Sequence, residues 1–359
     1  MAGTFRVVDT GVREGRFNIA LDQAMLAAHQ AGRIPDTLRF MRFPPTALIG
    51  RHQALGQEVD VEHCRGHGIG IVRRITGGGA IYLDEGQLGW GLIFNRATLG
   101  RLSLGDLARE ICLAAAAGLQ SLGVEARYRP RNDIEVDGRK ISGTGGFFDG
   151  DTLIYQGTVL VDMDPAAMVA ALRVPRAKLE KRQLDSAAQR VVTLRELLGD
   201  ATPALPAIQQ ALLDAFAERF GLQWSSAPLA PCEEAAAWRA YDEEIGRDEF
   251  VAEVDDPARD ADFLAGTHSG PGGTVTSYLR LEGQARRRIG TALITGDFFV
   301  APPRTILDLE AALRGAYVDD AAGIIEQFFV DHSLSAITVS PADFRASIEA
   351  ALAAARPAA

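Results

Sequence analysis

The chain has 359 residues, 47% of them hydrophobic and 23% charged, and a formal net charge of −10. That length suffices for one large domain or two ordinary ones with ample apolar cores, and the acidic balance excludes a general nucleic-acid binder, whose phosphate contacts need lysine and arginine patches. Its three cysteines, Cys64, Cys112 and Cys232, fall in no paired or metal-ligand spacing, and the most apolar run, ICLAAAAGL at 111–119, is too short to span a bilayer, so no disulfide framework, zinc site or membrane segment is expected. The N-terminal MAGTFRVVDTGVREGR lacks the apolar core of a signal peptide, and a soluble protein of the reducing cytoplasm is the expectation.

Helical spacing appears first in FNIALDQAMLAAHQAG, where Phe17, Leu21, Ala24, Met25 and Ala28 recur at three and four residues, with Asn18 as a cap and Gly32 as a stop. Strand-like runs follow in LRFMRF, ALIGR, GIGIVRR, GAIYL and LGWGLIF. SLGDLAREICLAAAAGLQSLG reads as a second core helix, opened by Ser103 and closed by Gly123. The strands NDIEV and RKISG are then parted by Asp137-Gly138, a pair suited to a type I′ turn that sets Val136 opposite Arg139 and Glu135 opposite Lys140. FFDGDTL turns a further hairpin into LIYQGTVLVDMD, and AIQQALLDAFAERFG supplies a third helix.

From about 225 the texture becomes acidic, alanine-rich and broken by proline and glycine, which reads as a connector with a helix near Trp238. Beyond it, TVTSYLRLEG and RRIGTALITGDFF read as strands, TILDLEAALRG and DFRASIEAALAAA as helices. The expected organisation is a catalytic domain over 1–226, a connector over 227–262 and a small accessory domain over 263–359. Mixed β-sheets with flanking helices, without regular βαβ alternation, make the fold class α+β.

Two segments carry chemistry. In RRITGGGAIYLDEGQ, residues 73–87, Gly77, Gly78 and Gly79 lack Cβ atoms, so their amides can converge on an anion, and Arg73 and Arg74 add forked donors for carboxylate or phosphate. The loop is neither a Walker motif nor a dinucleotide fingerprint, because no Gly-Lys-Ser or Gly-Lys-Thr follows and the glycines open no helix. In NDIEVDGRKISGTGG, Asn132, Asp133 and Lys140 sit around one hairpin that runs into small residues. The six histidines show no metal-ligand pattern, and His52, at a strand end, is the one expected nearest a ligand.

Together these segments resemble the lipoate-protein ligase family, whose pattern runs Arg-Arg-x-Ser/Thr-Gly-Gly-Gly-Ala, then Asn-Asp, then Lys-x-Ser-Gly, then a strand with a Gly-Thr step. FNIALDQAM, ALIGRHQ and LEKRQLDSAAQRVVTLRELLG stand where that family has an opening helix, an Ile-Gly-Arg-x-Gln strand end and a loop over the adenylate. The resemblance implies a biotin/lipoate ligase-like fold and a cytoplasmic enzyme that uses ATP and Mg2+ to convert lipoate to lipoyl-adenylate. The lipoyl group would then pass to a lysine of a lipoyl carrier domain, such as that of a 2-oxoacid dehydrogenase acyltransferase or the glycine-cleavage carrier.

Carried over by position, the resemblance makes Lys140 the catalytic residue at the lipoyl carboxylate and α-phosphate. It implies that Arg73, Arg74, Thr76, Gly77, Gly78, Gly79 and Ala80 bind substrate, with Ser142, Gly143, Gln156, Gly157 and Thr158. Asn132 and Asp133 would hold phosphate or metal, Asp133 being the metal residue, and Lys178 and Lys181 would fall in the adenylate loop. YLRLEG, LITGDFF and PPRTILDLEAALRG are similar to the accessory domain that some of these ligases carry. Three departures stand out: Leu83 where the family often has His, Gln156 in place of the His of a His-Gly-Thr step, and Ala54 in place of a common Asn. The alternatives are an octanoyl transferase of the same fold, which would need a cysteine nucleophile about a dozen residues before the lysine, a non-catalytic lipoate binder, and biotin ligation.

Overall fold

The computed structural model describes residues 3–173 except 101 and 131, then 190–254, 257, 260, 262–270, 272–283, 287–332, 335–336 and 339–354. Lys178 and Lys181 lie outside the described residues.

The first strand β1 (Thr4–Val12) leads into helix α1 (Gly15–Gln30), then β2 (Thr37–Arg42) and β3 (Thr46–Ile49). Two short helices, α2 (Leu55–Glu58) and α3 (Val61–Gly66), precede β4 (Gly70–Arg73), β5 (Ile81–Leu83) and β6 (Gln87–Asn95). After α4 (Leu104–Ser121) come β7 (Arg127–Arg129), β8 (Asp133–Val136), β9 (Arg139–Asp149), β10 (Thr152–Leu160) and α5 (Pro165–Ala171). A helix at Leu205–Phe220 and β11 (Gln223–Ser226) follow. An eight-stranded mixed sheet results, in the order β11-β1-β2-β6-β10-β9-β8-β7, beside a three-stranded sheet β4-β3-β5.

The capping residues explain where the helices start. Ser103 accepts the Asp106 N–H at the head of α4, as expected, and Gly123 beyond its end has φ +91°. At α1 the cap is Glu14, which accepts the Phe17 N–H, whereas Asn18 is fully buried and donates to the carbonyls of Arg13 and Arg42. Asn18 therefore ties α1 to β2 instead of opening the helix.

The large sheet has two covered faces. Phe40, Trp90, Phe94 and Tyr155 meet α4 and the helix Leu205–Phe220 through Leu107, Ile111, Leu212 and Phe216. Burying a side chain of this size contributes about 1.5–3 kcal/mol. Across the sheet, Ile93, Phe147 and Ile154 meet Phe17, Leu21 and Met25 of α1.

The described residues of the expected connector include the expected helix near Trp238. The helix Pro231–Ala240 lies along α1: Trp238 sits 4.4 Å from the Phe17 ring centroid, and Glu233 accepts two hydrogen bonds from Arg6 at 2.8 and 2.6 Å. Beyond it, β12 (Leu264–Gly270), β13 (Gly273–Glu282) and β14 (Arg288–Gly296) form an antiparallel sheet, and β15 (Val300–Ala301) pairs with β16 (Ser335–Ala336). Helices Thr305–Leu313, Ala321–Asp331 and Pro341–Ala353 close a separate apolar core around Phe298, Leu309 and Phe344. The fold is α+β, with mixed sheets and flanking helices. Among the described residues, no helix is long and apolar enough to cross a membrane.

Candidate active site

Strand register creates the floor of the site on the α1 face of the large sheet. Arg39, Gly91, Gln156 and Gly145 are cross-strand neighbours in one row, and Met41, Gly89 and Thr158 form the next. Glycines in these rows leave room above the sheet, where a cavity of about 420 Å³ opens. Its walls combine apolar side chains such as Ile19, Met41, Phe43 and Met163 with a few polar groups, the usual make-up of a small-molecule site.

One polar group lies at the α1 side. Asp22 Oδ1 accepts from Arg39 Nη1 at 2.7 Å, and its Oδ2 accepts from Gln156 Nε2 at 2.7 Å. Burial pushes the Asp22 carboxyl up, while the Arg39 charge and both hydrogen bonds oppose that rise. Asp22 and Arg39 were not anticipated. The signal was present as a charged residue four positions after Asn18 on a helix face that is otherwise buried.

A second polar group comes from the β8–β9 hairpin. Glu135 pairs with Lys140 and Val136 with Arg139, and the turn residues Asp137 and Gly138 have φ of +49° and +76°, so the type I′ expectation holds. Lys140 Nζ lies 2.8 Å from Asp133 Oδ1. A Cβ on Gly143 would stand 2.5 Å from that amine, so the bare residue lets the lysine cross the strand. Burial alone would raise the Asp133 carboxyl, but the Lys140 charge and hydrogen bonds from Lys140 and Arg129 hold it below the usual range. The main chain of Lys140 is also gripped, donating to the Arg190 carbonyl at 2.8 Å and accepting from Val192 N–H at 3.0 Å.

The glycine loop is organised by Arg74. Its guanidinium donates to the carbonyls of Gly77 at 3.0 and 2.7 Å, Gly79 at 2.8 Å and Leu48 at 3.2 Å. Burial lowers this group to about 10, which still leaves it charged at neutral pH. What the bare backbone approaches is another part of the chain. Gly78 N–H donates to the Phe298 carbonyl at 2.9 Å, and a Cβ on Gly77 would lie 2.1 Å from that oxygen.

The cavity brings together most of the expected residues. Arg74, Thr76, Gly79 and Ala80 line it from the loop side, Asn132, Asp133, Lys140 and Gly143 from the hairpin, and Gln156, Gly157 and Thr158 from β10. Lys140 and the glycine loop thus share one cleft. Gly77 and Gly78 are not among the lining residues, because the Phe298 turn covers them. Ser142 is also absent from the lining, its hydroxyl buried with no hydrogen-bond partner among the described residues.

Arg73, expected in the pocket, is buried away from it. Its guanidinium donates to five carbonyls, those of Gly50, Arg51, Gln53, Phe250 and Val251, at 2.7–3.2 Å. A fork with five N–H groups suits such a cluster, which engages all three guanidinium nitrogens. His52, expected near ligand, is buried outside the lining too: its ring stacks on Phe298 at 5.0 Å between centroids, and its carbonyl accepts Gly296 N–H at 3.1 Å. Ala54 is buried at the head of α2, and Leu83 lines the cavity. Phe299 and Asp297 line it from the C-terminal part; both fall in LITGDFF, expected in the accessory domain and not among the site residues.

None of the three cysteines reaches the cavity. Cys112 is buried with Sγ 3.3 Å from Thr144 Oγ1 and 3.5 Å from the Tyr155 hydroxyl, and burial pushes its thiol up. Cys64 is buried near the Ala171 carbonyl, and Cys232 is exposed on the helix Pro231–Ala240.

Known proteins resemble this chain in sequence and fold. The chain is 31% identical to the octanoyltransferase LipM of Kyrpidia tusciae over 258 residues, covering 65% of this chain and 93% of that one. A crystal structure of lipoate-protein ligase A bound with ATP superposes with a TM-score of 0.61 at 25% identity, covering 70% of this chain and 99% of that one. P. falciparum LipL1, solved in complex with lipoate, matches the fold over 92% of this chain and 95% of its own at a TM-score of 0.72 and 17% identity. The sequence pattern of the family described as Lipoyl protein ligase A/B catalytic domain matches residues 14–217. The chain belongs to the lipoyl protein ligase A/B catalytic domain family.

Proposed function

We propose that this protein is an ATP-dependent lipoate-protein ligase that forms an acyl-adenylate and then acylates a carrier lysine. The observation that carries this reading is a cavity holding Lys140 but none of the chain's three cysteines. Transfer through a thioester needs a cysteine nucleophile within reach of the acyl carbon, whereas adenylation needs no covalent enzyme nucleophile.

In the first half-reaction a carboxylate oxygen of lipoate attacks the α-phosphorus of ATP, and pyrophosphate leaves. Lys140 leaves Asp133 to meet the carboxylate and α-phosphate, where negative charge builds up in the transition state. Asp22, Gln156 and the apolar walls receive the acyl chain. In the second half-reaction the neutral amine of a carrier lysine attacks the acyl carbon, an amide bond forms, and AMP leaves with the proton lost from nitrogen.

Mg2+ held mainly by phosphates would need only one or two protein carboxylates. Asp133 is such a carboxylate in the cavity, and among the described residues no cluster of three acids, histidines or cysteines forms a cage. When bound, the ion neutralises phosphate charge and orients the polyphosphate. Residues 263–359 act as the accessory domain, the carrier is a lipoyl domain protein, and the unpaired cysteines suit the cytoplasm.

A second reading, octanoyl transfer between carriers, draws on the named activity of the Kyrpidia tusciae relative. Exchange of labelled pyrophosphate into ATP separates the two. Lipoate- or octanoate-dependent exchange is the expected result. Acyl transfer from an octanoylated carrier without ATP, with no exchange, would overturn the ligase reading.

A further inference from the structure

We propose that Phe299, on the turn between β14 and β15, is a specificity-determining residue that limits how long an acyl chain the cavity admits. The inference rests on the acyl-activating reading above. Two glycines make room for the ring: a Cβ on Gly145 of β9 would come 2.2 Å from its Cε1, and one on Gly78 of the glycine loop 2.5 Å from its Cζ. Gly145 stands directly opposite Gln156, whose amide reaches Asp22. The ring therefore fills the place of a missing side chain in the floor row that carries Gln156.

That row is one step from the row of Thr158, and Gly143 N–H points to the Thr158 hydroxyl at 3.5 Å while Lys140 lies across Gly143. Equivalent rows on one face are two residues apart, about 6–7 Å along a strand. An acyl chain whose carboxylate meets Lys140 and which runs along the floor toward Gln156 reaches the row that Phe299 closes. The wall at that end is supplied by the C-terminal part of the chain, whereas the floor belongs to the large sheet.

The ring's position is set from outside the cavity. The Phe298 carbonyl accepts Gly78 N–H, and the Phe298 ring stacks on His52 and meets Phe344 edge-on at 5.3 Å. Phe298 and Val300 belong to the C-terminal apolar core, but Phe299 between them does not. Trimming Phe299 consequently leaves that core and the Gly78 hydrogen bond in place.

The test is calorimetric titration of octanoate and of dodecanoate into wild type, Phe299→Ala and Phe299→Leu without nucleotide, followed by trapping of activated acid as hydroxamate once ATP is added. Wild type is expected to favour octanoate. Phe299→Ala should raise the dodecanoate-to-octanoate affinity ratio at least ~10-fold, the discrimination that methylene-sized space commands in an apolar pocket, with Phe299→Leu in between. An unchanged ratio in both variants, with wild-type circular dichroism, overturns the role of Phe299 and leaves acyl activation standing. Failure of all three proteins to bind either acid overturns both.

Discussion

Lys140 and Asp133 face each other across a single hairpin, with Nζ 2.8 Å from Oδ1. The pair keeps the amine inside the cavity before any anion arrives, since Asp133 is itself held ionised by Lys140 and Arg129. Lys140→Ala is expected to lower acyl-dependent pyrophosphate exchange about 10²–10³-fold, the usual effect of losing a donor aimed at transition-state charge. Circular dichroism and thermal melting should stay near wild type, because the lysine is partly exposed. Exchange at the wild-type rate would remove the residue from the chemistry.

The seam between the glycine loop and the Phe298 turn is tight enough for one methyl group to disturb it. Gly77→Ala would set a Cβ 2.1 Å from the Phe298 carbonyl oxygen, a backbone atom with little freedom to retreat. Overpacking of this kind costs about 1–3 kcal/mol. Gly66→Ala, in α3 with open space around it, is the control and should be neutral or mildly stabilising. Denaturant unfolding of both variants checks the contrast.

The same seam holds a neutral histidine. Burial, with the Arg51 and Arg73 charges adding to it, pushes His52 down to about 3 from its ordinary 6.5. A depressed histidine contributes stability that is full above pH 6.5 and is lost as the pH falls below it, about 2 kcal/mol by pH 5. Glu58, raised to about 7 by burial and by Asp297, acts in the opposite sense: its contribution is complete below its ordinary 4.5 and lost as pH rises through 7. Unfolding of Glu58→Gln at pH 5 and 7.5 should therefore expose the histidine effect, and adding His52→Phe should flatten it. Parallel profiles for the single and double variants would exclude His52 as the source.

Arg73 gathers five carbonyls, and those of Gly50 and Phe250 also accept backbone N–H groups, which leaves the carbonyls of Arg51, Gln53 and Val251 most dependent on it. Arg73→Met should cost at least about 3 kcal/mol, because each buried group left unsatisfied costs about 1–3 kcal/mol. Its effect on octanoate-against-dodecanoate preference should be negligible, since the side chain does not line the cavity. Unfolding free energy and acyl preference, measured on one preparation, distinguish this scaffold role from ligand binding.

Sequence periodicity made the helices around the large sheet legible, because their capping residues and apolar spacing act locally. The Lys140 hairpin was legible for the same reason, as Asp137-Gly138 dictates its register. Asp22 was harder to see: its place in the site depends on Arg39 and Gln156, residues 17 and 134 positions away. Two adjacent arginines could not be told apart by sequence, and only the fold shows that Arg74 wraps the loop while Arg73 faces the other way. Phe299 was invisible, since the space it fills is created by the absence of side chains on Gly78 and Gly145.

The packing of residues 230–253 determines where this polypeptide can be divided. A fragment stopping at residue 226 would strand Arg6 without Glu233, strip Phe17 of its Trp238 cover and release Arg73 from the Phe250 and Val251 carbonyls. A two-gene version of the molecule would have to break after Glu253, whose carboxylate still holds Arg51. Cut there, the amino-terminal product keeps these three contacts, and the seam at Gly78 and His52 is left to hold the Phe298 turn against it.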